Sequence, residues 1–505
     1  MQVLIIYPEN QVTNAKPVAV ALLSAILKKK GHTVDFIDTS QYDQSDFSNQ
    51  GRRKEKFSFR RPNYLMRAPK KRPTGICRRS VRVVDEIKYR LSIFKPDVIL
   101  VSAATIAFYH ARRILAEIKN DTPVIYGGCH TIFNSESAIN LSDVKIICIG
   151  EGEKILPELL LKMEKGEDYY NTPNFIFKDT KGNIFRNCRL PLEDRLDELP
   201  FMDYSIFDYN YHFYKVFRGR YYRMGDIVHA RGCFNSCSFC LYDRYYTLFN
   251  ETKHTIRAYS PERMIEEIEY LVKNYHLELI RFHSSDFLAL SEEYINKFSR
   301  LYRKRVGLPN VINSSVSQIT KDKAKFLRRM NCVSVSLGVE SGNEEYRRKV
   351  LNKHFTNSEL ITKTEFLHSE GIRITSNNMV FLPEETRDMI FENINLHKKT
   401  KIDILDYKPF YPFPGLTITK YCIEKGLVKD SSFSDVMTDT ESILKSPISK
   451  GEQIGLIRTI YLYKEFPRFI WKIIRIAEND TFLGRLTHKV LHAAYHTVKY
   501  GIVSK

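Results

Sequence analysis

The sequence predicts an α/β chain in three parts: an N-terminal doubly wound, Rossmann-like domain, a partial (β/α)6 barrel, and a mostly helical C-terminal region. Three observations predict it. Short apolar runs alternate with amphipathic stretches across 1–165. A second alternation, of about six such units, runs from 226 to 415. From 416 to 505 the apolar periodicity is mostly helical. A length of 505 residues suits two to four domains.

In chain order, "VLIIYP" (3–8) reads as a strand. "VAVALLSAILKKKG" (18–31) reads as a helix stopped by Gly31, and "HTVDFIDTS" (32–40) as a second strand. After an interruption, "VDEIKYRLSIF" (84–94) is an amphipathic helix and "PDVILVSA" (96–103) a buried strand. "TPVIYGG" and "VKIICIG" complete five strands, with helices at "FYHARRILAEIKN" and "EKILPELLLKMEKG". In such a sheet a ligand belongs over the carboxyl ends of the strands. The interruption at 51–83 holds thirteen Lys or Arg and one acid, Glu55. It reads as a basic surface loop or as a phosphate-gripping arm, with Phe57, Phe59 and Tyr64 available for stacking. Residues 166–225 read as a connector with hairpin character at "PNFIFKDTKGNIFRN". The barrel begins at "DIVHA", followed by a helix entered through Ser260 and Pro261. In the C-terminal region "FPRFIWKIIRIAEN" (466–479) mixes apolar bulk with Arg468, Lys472 and Arg475, which suits packing on the barrel or lying on a membrane surface.

Composition narrows the classes. The chain is 43% hydrophobic and 12% aromatic, enough for a core in each domain. No apolar run reaches the ~18 residues of a spanning helix. "MQVLIIYPEN" has no basic segment ahead of a long apolar run, so no secretory signal is expected. The formal charge of +19 is compatible with nucleic acid, an anionic membrane surface, an acidic substrate, or simply a solvated basic surface. Six of nine cysteines, Cys77, Cys129, Cys148, Cys188, Cys332 and Cys422, are scattered singly. That argues against a disulfide framework and for a reducing, cytoplasmic setting.

The other three cysteines stand in "RGCFNSCSFC" (231–240) as Cys233, Cys237 and Cys240. Structural zinc wants four ligands, usually as two separated pairs, and Cys332 or Cys422 would have to complete the set from a distance. An iron–sulfur cluster normally takes four cysteines as well. With three, one iron is left open to substrate or cofactor. The triplet follows the first barrel strand, on the face where such folds place their sites.

The Cys-x3-Cys-x2-Cys spacing resembles the signature of the radical S-adenosylmethionine (SAM) superfamily, including Phe239 before the last cysteine and the leading Arg231-Gly232. The resemblance implies a [4Fe–4S] cluster on the three cysteines, with SAM chelated at the fourth iron and cleaved to a 5′-deoxyadenosyl radical. "RFHSSDF" (281–287) resembles the polar loop after the second strand, with Ser284, Ser285 and Asp286 at the contact positions. "SLGVESGNEE" (336–345) resembles a Gly-Val-Glu-Ser-Gly stretch and implies Glu340 as a ligand of the polar end of SAM. "NMVFLPEET" (378–386) resembles a Gly-Leu-Pro-Gly-Glu-Thr segment around Leu382, with both glycines replaced, by Phe381 and Glu384. "PFYPFPGLTITKYCIEKGLV" (409–428) resembles the end of the core in the cobalamin-linked branch.

The N-terminal domain resembles the cobalamin-binding domain of that branch through "PDVILVSAAT", "VIYGGCHTIF" and "IICIGEGEKILPELL", and "LDELPFMDYSIF" (196–207) resembles its linker. This implies cobalamin held by Ser102, Thr105, Gly127, Gly128 and Gly150. The glycines would let a planar corrin approach the backbone. No Asp-x-His-x-x-Gly segment is present, and His130 is not assigned to cobalt. The alternative is a domain of this shape that binds nothing.

The expected activity is methyl transfer to an unactivated carbon or phosphorus centre. Its rivals are ring formation, oxidation or rearrangement without methyl transfer, and nucleic-acid binding with a structural or sensory cluster. Tyr242, Tyr245 and Tyr246 line the substrate cavity or simply pack. The expected partners are an external electron donor and a substrate that is a small molecule, lipid, natural product, peptide or RNA.

Overall fold

The computed structural model describes residues 1–9, 16–47, 79–249, 255–429 and 440–500. Most of the basic insertion, 51–78, and its Phe57, Phe59 and Tyr64 lie outside the described residues.

The N-terminal sheet has parallel strands β1 (Gln2–Tyr7), β2 (Thr33–Asp38), β3 (Val98–Ser102), β4 (Val124–Gly127) and β5 (Ile146–Cys148). Antiparallel strands β6 (Phe175–Lys178) and β7 (Ile184–Arg186) extend it, in the order β2-β1-β3-β4-β5-β6-β7. The hairpin read as part of a connector is therefore the edge of this sheet, because Phe175 and Phe177 are fully buried in its core. Strand order reverses between β1 and β3, the switch point where such sheets leave a crevice.

The second sheet begins before the expected 226. A hairpin of β8 (Tyr214–Phe217) and β9 (Arg220–Ile227) turns at Arg218-Gly219. A two-stranded ribbon, β10 (Ala230–Arg231) with β11 (Arg257–Ala258), brackets the cysteine segment. Then follow β12 (Leu279–Phe282), β13 (Asn310–Ser315), β14 (Cys332–Glu340), β15 (Arg373–Val380) and β16 (Ile404–Pro409). The sheet order is β16-β15-β14-β13-β12-β9-β8, parallel from β9 onward. Helices cover its outer face. Phe282 packs on Phe298 and Tyr302 of the helix Glu292–Arg305. Ser260 caps the helix Pro261–Tyr275 as its sequence predicts, accepting from the Arg263 N–H at 3.3 Å.

The opposite face alternates with that core. Asn313, Ser336 and Thr375 lie in register, half-buried, while Ile312, Val335 and Ile374 between them are buried. The barrel interior is thus polar, and the apolar core lies between strands and helices. The C-terminal helices Lys450–Glu465, Trp471–Ala477 and Phe482–Tyr500 pack outside the barrel, against the helix Arg387–Lys398. Among the described residues no helix is long and apolar enough to cross a membrane.

The two domains meet at buried charge. The Lys16 ammonium donates to the carbonyls of Met224 (2.7 Å) and His212 (3.1 Å) and lies 3.0 Å from the Asp226 carboxylate. His283 approaches the other Asp226 oxygen at 2.6 Å. Burial opposes the charge on Asp226, but Lys16 and His283 outweigh it and hold its carboxyl below the usual carboxylate range. Removing one member of a buried ion pair typically costs ~3–5 kcal/mol, and that is the destabilisation expected in urea melts of Lys16→Met.

Acid sensitivity comes from buried imidazoles. Burial pushes His229 and His397 down to about 3. Histidine in the unfolded chain titrates near ~6.5. Between these values the unfolded chain binds protons that the folded chain refuses, so this contribution is complete above ~6.5 and is lost as pH falls. The thermal midpoint is expected to drop steadily on acidification from pH ~6.5. A flat profile down to pH ~5 would show that these histidines are not buried neutral in solution.

Candidate functional site

Gly232 opens the cysteine loop with φ +109°, and a Cβ there would lie 2.3 Å from the Thr255 carbonyl oxygen. Only glycine fits such a position. The Tyr246 hydroxyl accepts from the Cys233 N–H at 2.9 Å and donates to the Thr255 carbonyl at 2.7 Å. Tyr242 accepts from the Gly232 N–H at 3.4 Å. These two tyrosines therefore fasten the loop. Its far side is tied down as well. The Ser238 N–H donates to the Leu351 carbonyl (3.0 Å), its hydroxyl to the Val350 carbonyl (2.6 Å), and Asn352 donates to the Ser236 carbonyl (2.7 Å).

The loop brings Cys233, Cys237 and Cys240 within electrostatic reach of one another. Burial pushes the Cys237 thiol up to about 11 and raises Cys240. Both stay protonated without metal, so metal loading must release protons. Among the described residues no three ligand-type side chains converge on a point that would hold a single ion. Phe239, half-buried, packs with Leu351 and Leu382 beneath the loop.

Opposite the thiols stands a charged pair. Glu340 ends β14 at φ +69°, left-handed backbone that a non-glycine residue adopts only at a cost. The Lys353 ammonium lies 4.0 Å from its carboxylate. Burial raises the Glu340 carboxyl. Burial works against the Lys353 charge, but Cys237, Glu340, Asp286 and Cys233 more than offset it. Gly338 makes the room: a Cβ there would sit 2.6 Å from Glu340 Oε1 and 3.2 Å from Lys353 Nζ. Arg347, fully buried, shapes the segment that carries Lys353. It donates to the carbonyls of Ser341 (2.7 Å) and Phe355 (2.8 Å) and to Asn357 (2.9 Å). Sequence reasoning missed Lys353. "RRKVLNKHF" carries four basic side chains, and nothing local singles out the last lysine.

The other residues expected at SAM divide. The Ser284 hydroxyl accepts from the Ala230 N–H (3.1 Å) and is 2.6 Å from His229 Nδ1, so it braces the loop. The Asp286 carboxylate takes up the hydroxyls of Ser314 and Ser315, and Ser285 lies beside the Tyr242 hydroxyl. Leu382 is buried, its N–H donating to Glu385 at 3.2 Å. Burial pushes the Glu385 carboxyl up to about 8. Phe381 (φ +60°) and Glu384 (φ +58°), at the positions of the two expected glycines, adopt the left-handed backbone that glycine favours.

In the N-terminal domain, Ser102 ends β3 and Thr105 opens the helix Thr105–Ile118, both at the carboxyl edge. Gly128 and Gly150 have reasons internal to the protein. Cβ atoms there would meet the Ala103 carbonyl oxygen and the Asn174 side chain, each at 2.6 Å. Gly127 meets only Cys148 Cβ, at 3.7 Å, and leaves its surface open. His130 is stacked on Phe108 at 4.2 Å, neutral and pushed down to about 4 by burial.

This edge is clamped to the cysteine loop. Glu151, just after β5, accepts from Arg231 (3.1 Å) and Arg257 (2.9 Å), with the Tyr245 hydroxyl at 3.4 Å. Glu153 lies 2.7 Å from Arg231. Burial would raise the Glu151 carboxyl, but Arg257 and Arg231 outweigh it and hold it low. Phe133 approaches Tyr245, with ring centroids 6.3 Å apart. A ligand over β3 and β4 would therefore face the loop.

Residues 227–396 match the profile of the Radical SAM superfamily. The matched stretch is the barrel, from the end of β9 to the helix after β15. A protein described as an uncharacterized methyltransferase of Pyrococcus horikoshii is 24% identical over 374 residues, 73% of this chain and 78% of its own. The anaerobic magnesium-protoporphyrin IX monomethyl ester cyclase of Rubrivivax gelatinosus is 23% identical over 339 residues, 65% of this chain and 59% of its own. Two solved folds are similar. The radical SAM methyltransferase TsrM of Kitasatospora setae, with cobalamin and [4Fe–4S] cluster bound, has a TM-score of 0.61 at 17% identity, covering 84% of this chain and 75% of its own. The cobalamin-dependent radical SAM enzyme OxsB has a TM-score of 0.65 at 15% identity, covering 99% and 72%. The chain thus shares the two-domain fold of both.

Glu151→Gln leaves Arg257 without its carboxylate partner and Arg231 with Glu153 alone. The expected loss is ~3 kcal/mol or more in urea melts, with lower iron and sulfide content after anaerobic reconstitution. Wild-type stability and iron loading would mean that the clamp does not hold the loop.

Proposed function

We propose that this chain is a cobalamin-dependent radical SAM enzyme whose reaction is methyl transfer to an unactivated centre. The observation that carries it is the clamp, which sets the carboxyl edge of the N-terminal sheet against the cysteine loop. Cys233, Cys237 and Cys240 would hold a [4Fe–4S] cluster, leaving one iron without a protein ligand. The three thiols stand at one loop with Lys353 and Glu340 opposite, and this donor set fits such a group. The open strand end at Ser102 and Gly127 fits cobalamin in the N-terminal domain. When bound, these cofactors supply electron transfer to SAM, a carbon-centred radical and a methyl carrier.

The protein's own residues bind, orient and exclude water. Lys353 would pair with the SAM carboxylate and Glu340 with its amino group, replacing the contact that the two make with each other. Phe239 would pack against the adenine. The polar interior, His283, Asn313, Ser336, Thr375, Asn377 and Asp406, would orient the substrate. Its hydrogen-bonding groups favour a polar small molecule over a hydrocarbon chain.

A second reading, ring formation without methyl transfer, is favoured by the Rubrivivax cyclase. Anaerobic reconstitution with iron, sulfide and cobalamin tests both. Reductant plus SAM is expected to give 5′-deoxyadenosine, and Cys240→Ala none. Absence of that product from wild type overturns the radical SAM activity. Absence of retained corrin absorbance overturns the cobalamin assignment alone. Labelled methyl from SAM appearing in a product separates the two readings. Lys353→Ala is expected to keep the cluster's absorbance and raise the KM for SAM at least about tenfold, the loss of one charge-assisted contact.

A further inference from the structure

We propose that the C-terminal helix pair docks the protein on an anionic lipid surface. The inference stands apart from the reaction assigned above. The helices Trp471–Ala477 and Phe482–Tyr500 pack on each other and on Lys450–Glu465. Ile474, Ala477, Gly484, Leu491 and Tyr495 face inward and are buried. The outward positions are not polar. Phe469 and Phe482 are each 78% exposed, Val490 62%, Leu483 60%, Leu486 48%, Ile473 43% and Ile476 41%. Phe469, Ile473 and Ile476 recur at helical spacing, as do Phe482, Leu486 and Val490, so each helix presents one apolar stripe. The two helices meet closely at the turn: a Cβ on Gly484 would be 2.9 Å from the Ile476 carbonyl oxygen.

Charge selects the occupant. Arg468, Lys472 and Lys489 are exposed beside the stripes. Arg475 and Arg485 are occupied by Glu452, Glu478 and Asp480. From Phe482 onward the chain carries Arg485, Lys489, Lys499 and Lys505 and not one Asp or Glu. Two copies of this face would bring like charges together. A bilayer of anionic lipids accepts both the aromatic and aliphatic side chains and the surrounding cations, as interfacial amphipathic helices require. The pair lies outside the barrel. Phe391, on the helix after β15, packs on Trp471 at 5.2 Å, and Arg387 of the same helix binds Glu478 at 2.6 Å.

The test is flotation of the full chain with vesicles of phosphatidylcholine alone and of phosphatidylcholine mixed equally with phosphatidylglycerol. Binding to the mixed vesicles is expected to exceed neutral binding at least about tenfold and to fall with added salt. The triple variant Phe469→Ser/Phe482→Ser/Leu483→Ser is expected to lose the binding while keeping wild-type circular dichroism and melting temperature. Lys472→Glu/Lys489→Glu, at exposed positions, is expected to lose the anionic preference even if the triple variant misfolds. Equal flotation of wild type and the charge variant, or no flotation of wild type, overturns the proposal. A wild-type dimer in light scattering that the triple variant dissolves would assign the face to a second copy and overturn it as well.

Discussion

Two arginines face each other across the ribbon that closes the cysteine loop. Arg231 and Arg257 are register partners, and like charges directly opposite are unfavourable. Glu151 resolves the conflict, and it comes from the other domain. The loop's closure therefore depends on the docking of the N-terminal sheet, and the docking depends on the ribbon being formed. Tyr246, Gly232 and Ser238 then fix the loop's path in detail, but they act on a loop whose ends the clamp already holds. The interaction is expensive to desolvate and is weak evidence for net stability. Its value is in specifying one relative placement of two domains.

Glu340, Phe381 and Glu384 all adopt left-handed backbone, at roughly 1–2 kcal/mol each for a residue with a side chain. Phe381 offsets this by complete burial. Glu384 is bonded by the Tyr421 hydroxyl. Among the described residues Glu340 has no hydrogen bond of that kind; it lies 4.0 Å from Lys353, with the Lys408 charge also acting on it. A strained, buried carboxylate with no direct hydrogen bond to its cations is poor structure taken alone. It makes sense as a group kept ready for a cationic partner from outside.

What was legible in the sequence follows from range. The alternation of strand and helix is local, and both sheets were readable except at their edges. The β6–β7 hairpin was visible as a hairpin, but its attachment to β5 depends on Phe175 and Phe177 filling a core assembled from distant strands. The cysteines are readable because three thiols lie within one loop. Arg231 stood in the quoted motif, yet its partner is eighty residues upstream. Lys353 was hidden among neighbouring basic residues, since only the fold of Ser341 to Asn357 around Arg347 decides which one turns inward. Gly128 and Gly150 looked like room for a ligand and prove to be room for Ala103 and Asn174. A glycine in a sequence records a lack of space, not what fills it.

The barrel's polarity follows from where its stability comes from. Closed (β/α)8 barrels fill their interior with branched apolar side chains. Here six parallel strands with one antiparallel edge strand leave the barrel partial, and the buried apolar layer lies between sheet and helices. The inner face is released from packing duty and can carry Asn313, Thr375, Asn377 and Asp406. Such a surface stays hydrated unless something covers it. Lys16 reaches the first strand from the N-terminal domain and is buried against Met224 and Asp226. The same docking that completes the cysteine loop therefore closes one flank of the polar interior.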